Sequence, residues 1–154
     1  MPEVPLPDAF EWIRYPWGPA IRCRALAAAA NHCFTTRAPV LGPGPLSVGD
    51  GWHHVALAMH VPPPAIVRLR QVHGTRVVSV GRHETIPPET PDWNVGDIAA
   101  TDRPGVALCV KVADCVPILI VDARGGSVAA VHAGWRGTAA GAARVAVEIG
   151  RAHV

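Results

Sequence analysis

Three side chains able to bind a soft cation fall in a pattern that a hairpin would bring together. Cys115 opens "CVPILIVD", His132 closes "SVAAVHA", and the two are separated by the turn-forming "ARGG". If Ala123 to Gly126 form a four-residue loop, Asp122 faces Ser127 and Cys115 falls opposite Gly134. His132 is then the diagonal neighbour of Cys115 on the same face, with backbones ~7–8 Å apart. A two-residue loop at Gly125 and Gly126 keeps the face and shifts the offset. A three-residue loop would put the two side chains on opposite faces. His73 in "RQVHG" is the best third ligand, because it precedes a glycine at the end of an extended run. Two imidazoles and one thiolate leave a fourth position of a zinc ion open to water or substrate, as in catalytic sites. Water bound to such an ion has its pKa lowered to ~7.

Simpler readings compete. A lone cysteine in an apolar stretch often acts as a small buried hydrophobe, and Cys109 suits that role. His53, His54 and His60 in "WHHVALAMH" are alternative ligands or the decoration of an exposed helix face. Asp114, beside Cys115, is a candidate to orient a ligand histidine or move a proton; it could equally satisfy a turn. In "HAGWRGT", Gly134 and Gly137 permit close backbone approach, and a helix starting near Gly137 or Thr138 would present free N–H groups to phosphate. Arg136 could add a two-pronged anion contact there, or face water or an aspartate.

The elements that must hold these residues can be read from the text. Residues 1–31, with "PEVPLP" and "YPWGPA", read as an irregular lead. "HCFTTR" is a short strand, "APVLGPGPLSVGDG" a loop, and "WHHVALAMHV" a short helix stopped by Pro62, Pro63 and Pro64. "AIVRLRQVHG", "RVVSVG", "GVALCVKVA", "VPILIVD" and "SVAAVHAGW" are strand-like, "RHETIPPETPDWNVGD" is a loop, and "GTAAGAARVAVE" is a helix. The last seven residues, "EIGRAHV", resemble the in-frame translation of a sequencing-library adapter. Residues 148–154 are therefore set aside as a non-native tail, and the natural chain is expected to continue.

Composition narrows the class. At 154 residues with 49% hydrophobic and 17% charged side chains, the chain can bury a core as one folded domain. A net charge of +2, without a basic run, excludes an electrostatic case for nucleic acid. Four cysteines form no CxxC pair, which points to a reduced, cytoplasmic setting. No apolar segment approaches the ~20 residues of a membrane span.

The segments "RQVHG", "TDRPGVALCVKVADCVPILIVD" and "VAAVHAGWRGT" resemble the signatures of the laccase-domain family, long called multicopper polyphenol oxidoreductases. The resemblance runs over residues 32–147. It implies an α+β fold of mixed β-sheets packed together with flanking helices, here incomplete at the C-terminus. It implies that His73, Cys115 and His132 bind zinc, with copper as the alternative; Asp114 and Arg136 stand beside them as the candidate catalytic residues. The activity it implies is purine nucleoside phosphorylase, taking adenosine, inosine or methylthioadenosine with phosphate, together with adenosine deaminase. The loop after "HCFTTR" departs from the family's Gly-Gly element and "SLNLG"-like run. Rival readings are a copper-dependent phenol oxidase, a cysteine hydrolase using Cys115 and His132, and a zinc-stabilised interaction module.

Overall fold

The computed structural model describes residues 4–37, 41, 51–84, 86, 94–122, 124 and 126–152. The chain divides into two compact units, Met1–Pro63 and Pro64–Val154. No helix among the described residues is long and apolar enough to cross a membrane.

The first unit corrects the expectation of an irregular lead. β1 (Phe10–Tyr15) and β2 (Gly18–Cys23) form an antiparallel hairpin in which Tyr15 faces Gly18. "FEWIRY" has the aromatic and β-branched content of a strand but no clean alternation, and the surrounding prolines and tryptophans read as loop. Gly18, at φ 132°, makes the turn possible after Pro16 and Trp17. The hairpin is fastened by Glu11, whose carboxylate accepts from Arg22 at 2.6 and 2.9 Å and from Arg24 at 2.7 Å. β3 (Phe34–Thr35) joins β2, as "HCFTTR" suggested. The expected helix forms as α1 (Gly51–Met59), which buries Trp52, Val55 and Ala56. The loop proposed between β3 and α1 lies almost wholly outside the described residues, as does half of the "RHETIPPETPDWNVGD" loop.

The second unit carries two sheets. β4 (Ile66–Arg68) pairs in parallel with β7 (Ala107–Cys109). The larger sheet has the order β5 (Val77–Val80), β6 (Ile98–Thr101), β9 (Val128–Ala133), β8 (Val116–Val121); β5 and β6 are parallel and the other pairs antiparallel. β6 was missing from the sequence reading, because "IAAT" is short and its alanines carry little strand propensity. It is nonetheless buried along its whole length.

The helical segment after β9 also differs from expectation. It starts earlier, at Trp135, and divides into α2 (Trp135–Ala139) and α3 (Ala142–Ala152). Gly141, at φ 83°, makes the break, a conformation that costs a glycine little. On one face of the sheet, Ala142, Ala146 and Val145 of α3 pack against Ile98, Val131 and Ala133. On the other, Val78 and Ala99 meet Leu69, Leu108 and Val110 beside the small parallel sheet. The fold is thus α+β, with mixed sheets packed together and helices flanking them. α3 runs into the segment read as a tail, where Glu148 pairs with Arg144 at 2.7 Å.

Candidate metal centre

Pairing within the β8–β9 hairpin sets the first two candidate ligands. Val121 faces Val128 and Val116 faces Ala133, and the Asp122 N–H donates to the Ser127 carbonyl at 2.9 Å. This is the register of the four-residue loop, although Ala123 and Gly125 themselves lie outside the described residues. The ladder places His132 near the end of β9 and Cys115 just before β8, diagonal to it. His73 arrives from the segment after β4 with φ 63°, in the left-handed region uncommon for any residue but glycine.

The three ligand atoms of His73, Cys115 and His132 all lie within 4.8 Å of one another. The two imidazoles meet edge to face, with centroids 4.8 Å apart. His132 is buried, Cys115 half-buried and His73 exposed, so the group is open on one side. The backbone is cut to fit. A Cβ on Gly134 would lie 3.0 Å from His73 Cδ2 and 3.1 Å from Cys115 Sγ. A Cβ on Gly137 would come within 3.0 Å of the Gly74 carbonyl, so that glycine lets α2 approach the His73 segment. With no side chain at position 134, space remains among an N, N, S donor set suited to a borderline-soft cation.

Behind the ligands lies Asp97, the residue preceding β6, fully buried. Oδ1 accepts from His132 Nδ1 at 2.7 Å and from the His73 N–H at 2.9 Å. Oδ2 accepts from the N–H groups of Gly74 at 2.8 Å and Val72 at 3.2 Å. Burial pushes the Asp97 pKa up, but the hydrogen bonds from His132 and from the backbone of Gly74, His73 and Val72 prevail and hold it below its ordinary value. Gln71 makes a second tie: its amide donates to the Lys111 carbonyl and accepts from the Lys111 N–H, both at 2.7 Å. The segments carrying His73 and Cys115 are thereby linked ahead of both ligands.

The structure treats the other candidates differently. Asp114 is exposed, with its carboxylate 4.0 Å from Cys115 Sγ; the aspartate that meets a ligand imidazole is Asp97. Arg136 is exposed, and its guanidinium lies 5.1 Å from the centroid of the Trp135 ring. Trp135, next to Gly134, is 75% exposed. His54 and His60 are exposed and His53 half-buried, all within the first unit. Cys109 is half-buried in β7 and belongs to no ligand group among the described residues. Sequence reasoning misses Asp97 because it closes a polar loop; the available signal is a carboxylate directly ahead of the apolar Ile98, Ala99 and Ala100.

Residues 40–153 match the family described as multi-copper polyphenol oxidoreductase laccase. The chain belongs to that family. Among curated members, a purine nucleoside phosphorylase of Deinococcus radiodurans is 34% identical over 128 residues, covering 75% of this chain and 47% of that protein. Adenosine deaminase RL5, from an unknown prokaryotic organism, is 35% identical over 111 residues, covering 70% of this chain and 42% of that one. The crystal structure of YlmD from Geobacillus stearothermophilus superposes with a TM-score of 0.70 at 31% identity, over 96% of this chain and 61% of that one. This laccase-family chain therefore spans about half the length of the curated relatives it matches.

Proposed function

We propose that this chain carries the centre of a zinc-dependent purine nucleoside phosphorylase that also deaminates adenosine. The observation that carries the proposal is the convergence of His73, Cys115 and His132 within 4.8 Å, beneath a glycine whose Cβ would crowd the space between them. The printed activities of the relatives, purine nucleoside phosphorylase and adenosine deaminase, supply the reaction classes. His73, Cys115 and His132 would hold the ion, and zinc there would supply Lewis-acid polarisation. Phosphorolysis joins phosphate to the ribose carbon as the bond to the base breaks; deamination adds water to the purine ring and releases ammonia.

The chain's own groups share the remaining work. Exposed His73 and half-buried Cys115 line the open side, where a purine nucleoside can enter. Arg136, exposed two residues beyond Gly134, would attract phosphate. Asp114, exposed beside Cys115, would exchange protons with solvent at its carboxylate. Four free cysteines accord with a reducing, cytoplasmic location. Zinc is preferred to copper because no further histidine cluster, which multicopper oxidation would need, accompanies this one among the described residues.

One observation favours a second reading. Asp97, His132 and Cys115 follow the acid–imidazole–thiol order of a cysteine hydrolase. Such a triad needs one histidine, however, and leaves the approach of His73 without a purpose. Adenosine incubated with the zinc-loaded chain should release adenine only when phosphate is present, and yield inosine without it. Cys115→Ala should abolish both products, and a chelator should do the same to the unaltered chain. Undiminished products from Cys115→Ala would overturn the metal assignment; activity lost in Cys115→Ala yet indifferent to chelator would favour the hydrolase.

A further inference from the structure

We propose that Asp97 is the positioning residue of this centre: one buried carboxylate sets the tautomer of His132 and the backbone of His73, so the ligand geometry exists before an ion arrives. This rests on the metal-binding reading given above. Asp97 stands directly opposite His132 where β6 meets β9, and the His132 N–H donates to the Asp97 carbonyl at 2.7 Å. The two side chains project to the same face, and the ring meets the carboxylate at 2.7 Å.

An ionised carboxylate only accepts hydrogen bonds. Nδ1 of His132 must therefore carry a proton, and in the neutral ring the lone pair then lies on Nε2, available to the cation. The same carboxylate collects three consecutive backbone N–H groups, from Val72, His73 and Gly74. Successive N–H groups converging on one anion form a concave nest, and that nest sustains the left-handed backbone of His73. Two ligands from distant parts of the sequence thus answer to a single group that touches neither the ion nor the substrate.

Asparagine cannot take over. If its carbonyl oxygen occupies the Oδ1 position, its NH2 confronts the N–H groups of Val72 and Gly74. If the oxygen occupies the Oδ2 position, the NH2 confronts the His73 N–H and the His132 ring. His132 could then accept only as the Nε2–H tautomer, which withdraws its lone pair from the ion. Either arrangement spoils one ligand.

The test begins with the unaltered chain free of metal. Long-range 1H–15N imidazole spectra should show His132 protonated at Nδ1, and the amides of Val72, His73 and Gly74 should exchange slowly. An Nε2–H tautomer, or rapid exchange at those amides, would overturn the proposal without recourse to any variant. Asp97→Asn, confirmed as folded by circular dichroism, should bind zinc and cobalt about 10–100-fold more weakly in competition with a chromophoric chelator. A folded Asp97→Asn that matches the unaltered chain within twofold would sink the positioning role alone. Failure of the unaltered chain to bind either metal would sink the metal reading and this proposal with it.

Discussion

The two ends of the β8–β9 hairpin follow opposite rules. At the His132 end, polar groups are buried and each has a partner: Asp97 satisfies four donors, and His132 is tied through both ring and backbone. Glycines there, at positions 134 and 137, leave no room for a Cβ without contact near 3.0 Å. At the Ser127 end, the sheet and the last turns of α3 border an open pocket of about 420 Å³ lined by Ala100, Ile120, Ser127, Ala129, Ala146 and Gly150 among others. The Ser127 hydroxyl is buried in that region with no hydrogen-bond partner among the described residues. The same two strands therefore run from an over-determined end to a loosely filled one. Buried polar networks confer a unique geometry only when every member is satisfied, so only the first end is fit to hold ligand atoms in place.

That contrast can be broken or sharpened by experiment. The largest effect should come from the ion itself. Zinc at a free concentration of 100 times its Kd should stabilise the fold by about 2.7 kcal/mol, read as a raised melting temperature that a chelator reverses. Gly134→Ala should remove most of that shift, because the new Cβ falls among His73 Cδ2, Cys115 Sγ and His132 Cε1. Turnover by the zinc-loaded variant should fall about 100-fold, the scale of an ångström-sized misplacement; unchanged metal-induced stabilisation would show that the cluster does not bind as a unit. Gln71→Ala breaks two hydrogen bonds to Lys111 at a partly exposed position. It should cost about 1 kcal/mol in urea unfolding, with metal affinity weakened less than by Gly134→Ala. At the other end, Ser127→Ala removes an unpartnered hydroxyl and should leave stability unchanged or raise it by up to about 1 kcal/mol. A clear loss of stability in that variant would mean the hydroxyl has a partner, and the contrast between the ends would weaken.

The shared face of Cys115 and His132 was legible in the sequence because hairpins are local. An even loop between Asp122 and Ser127 keeps Cys115 and His132 on one face, and the alternation of a strand carries that relation along the ladder. α1 and the strands around Val67, Val78, Ile118 and Val131 were likewise visible as apolar runs bounded by proline or glycine. The β1–β2 hairpin was not, since its strands show no clean alternation and lie among prolines and tryptophans that read as loop. β6 was missed for the opposite reason: Ile98–Thr101 has few residues of strong strand preference and is defined by neighbours on both sides.

By itself the sequence determined which atoms could bind a cation and that two of them share a hairpin face, because those relations depend on neighbours along the chain. Only the tertiary structure decided what brings His73 to the other two and which nitrogen of His132 stays free. Both depend on Asp97, separated from His73 by 24 positions and from His132 by 35. Such a contact is made by packing one segment against another, and no local periodicity records it.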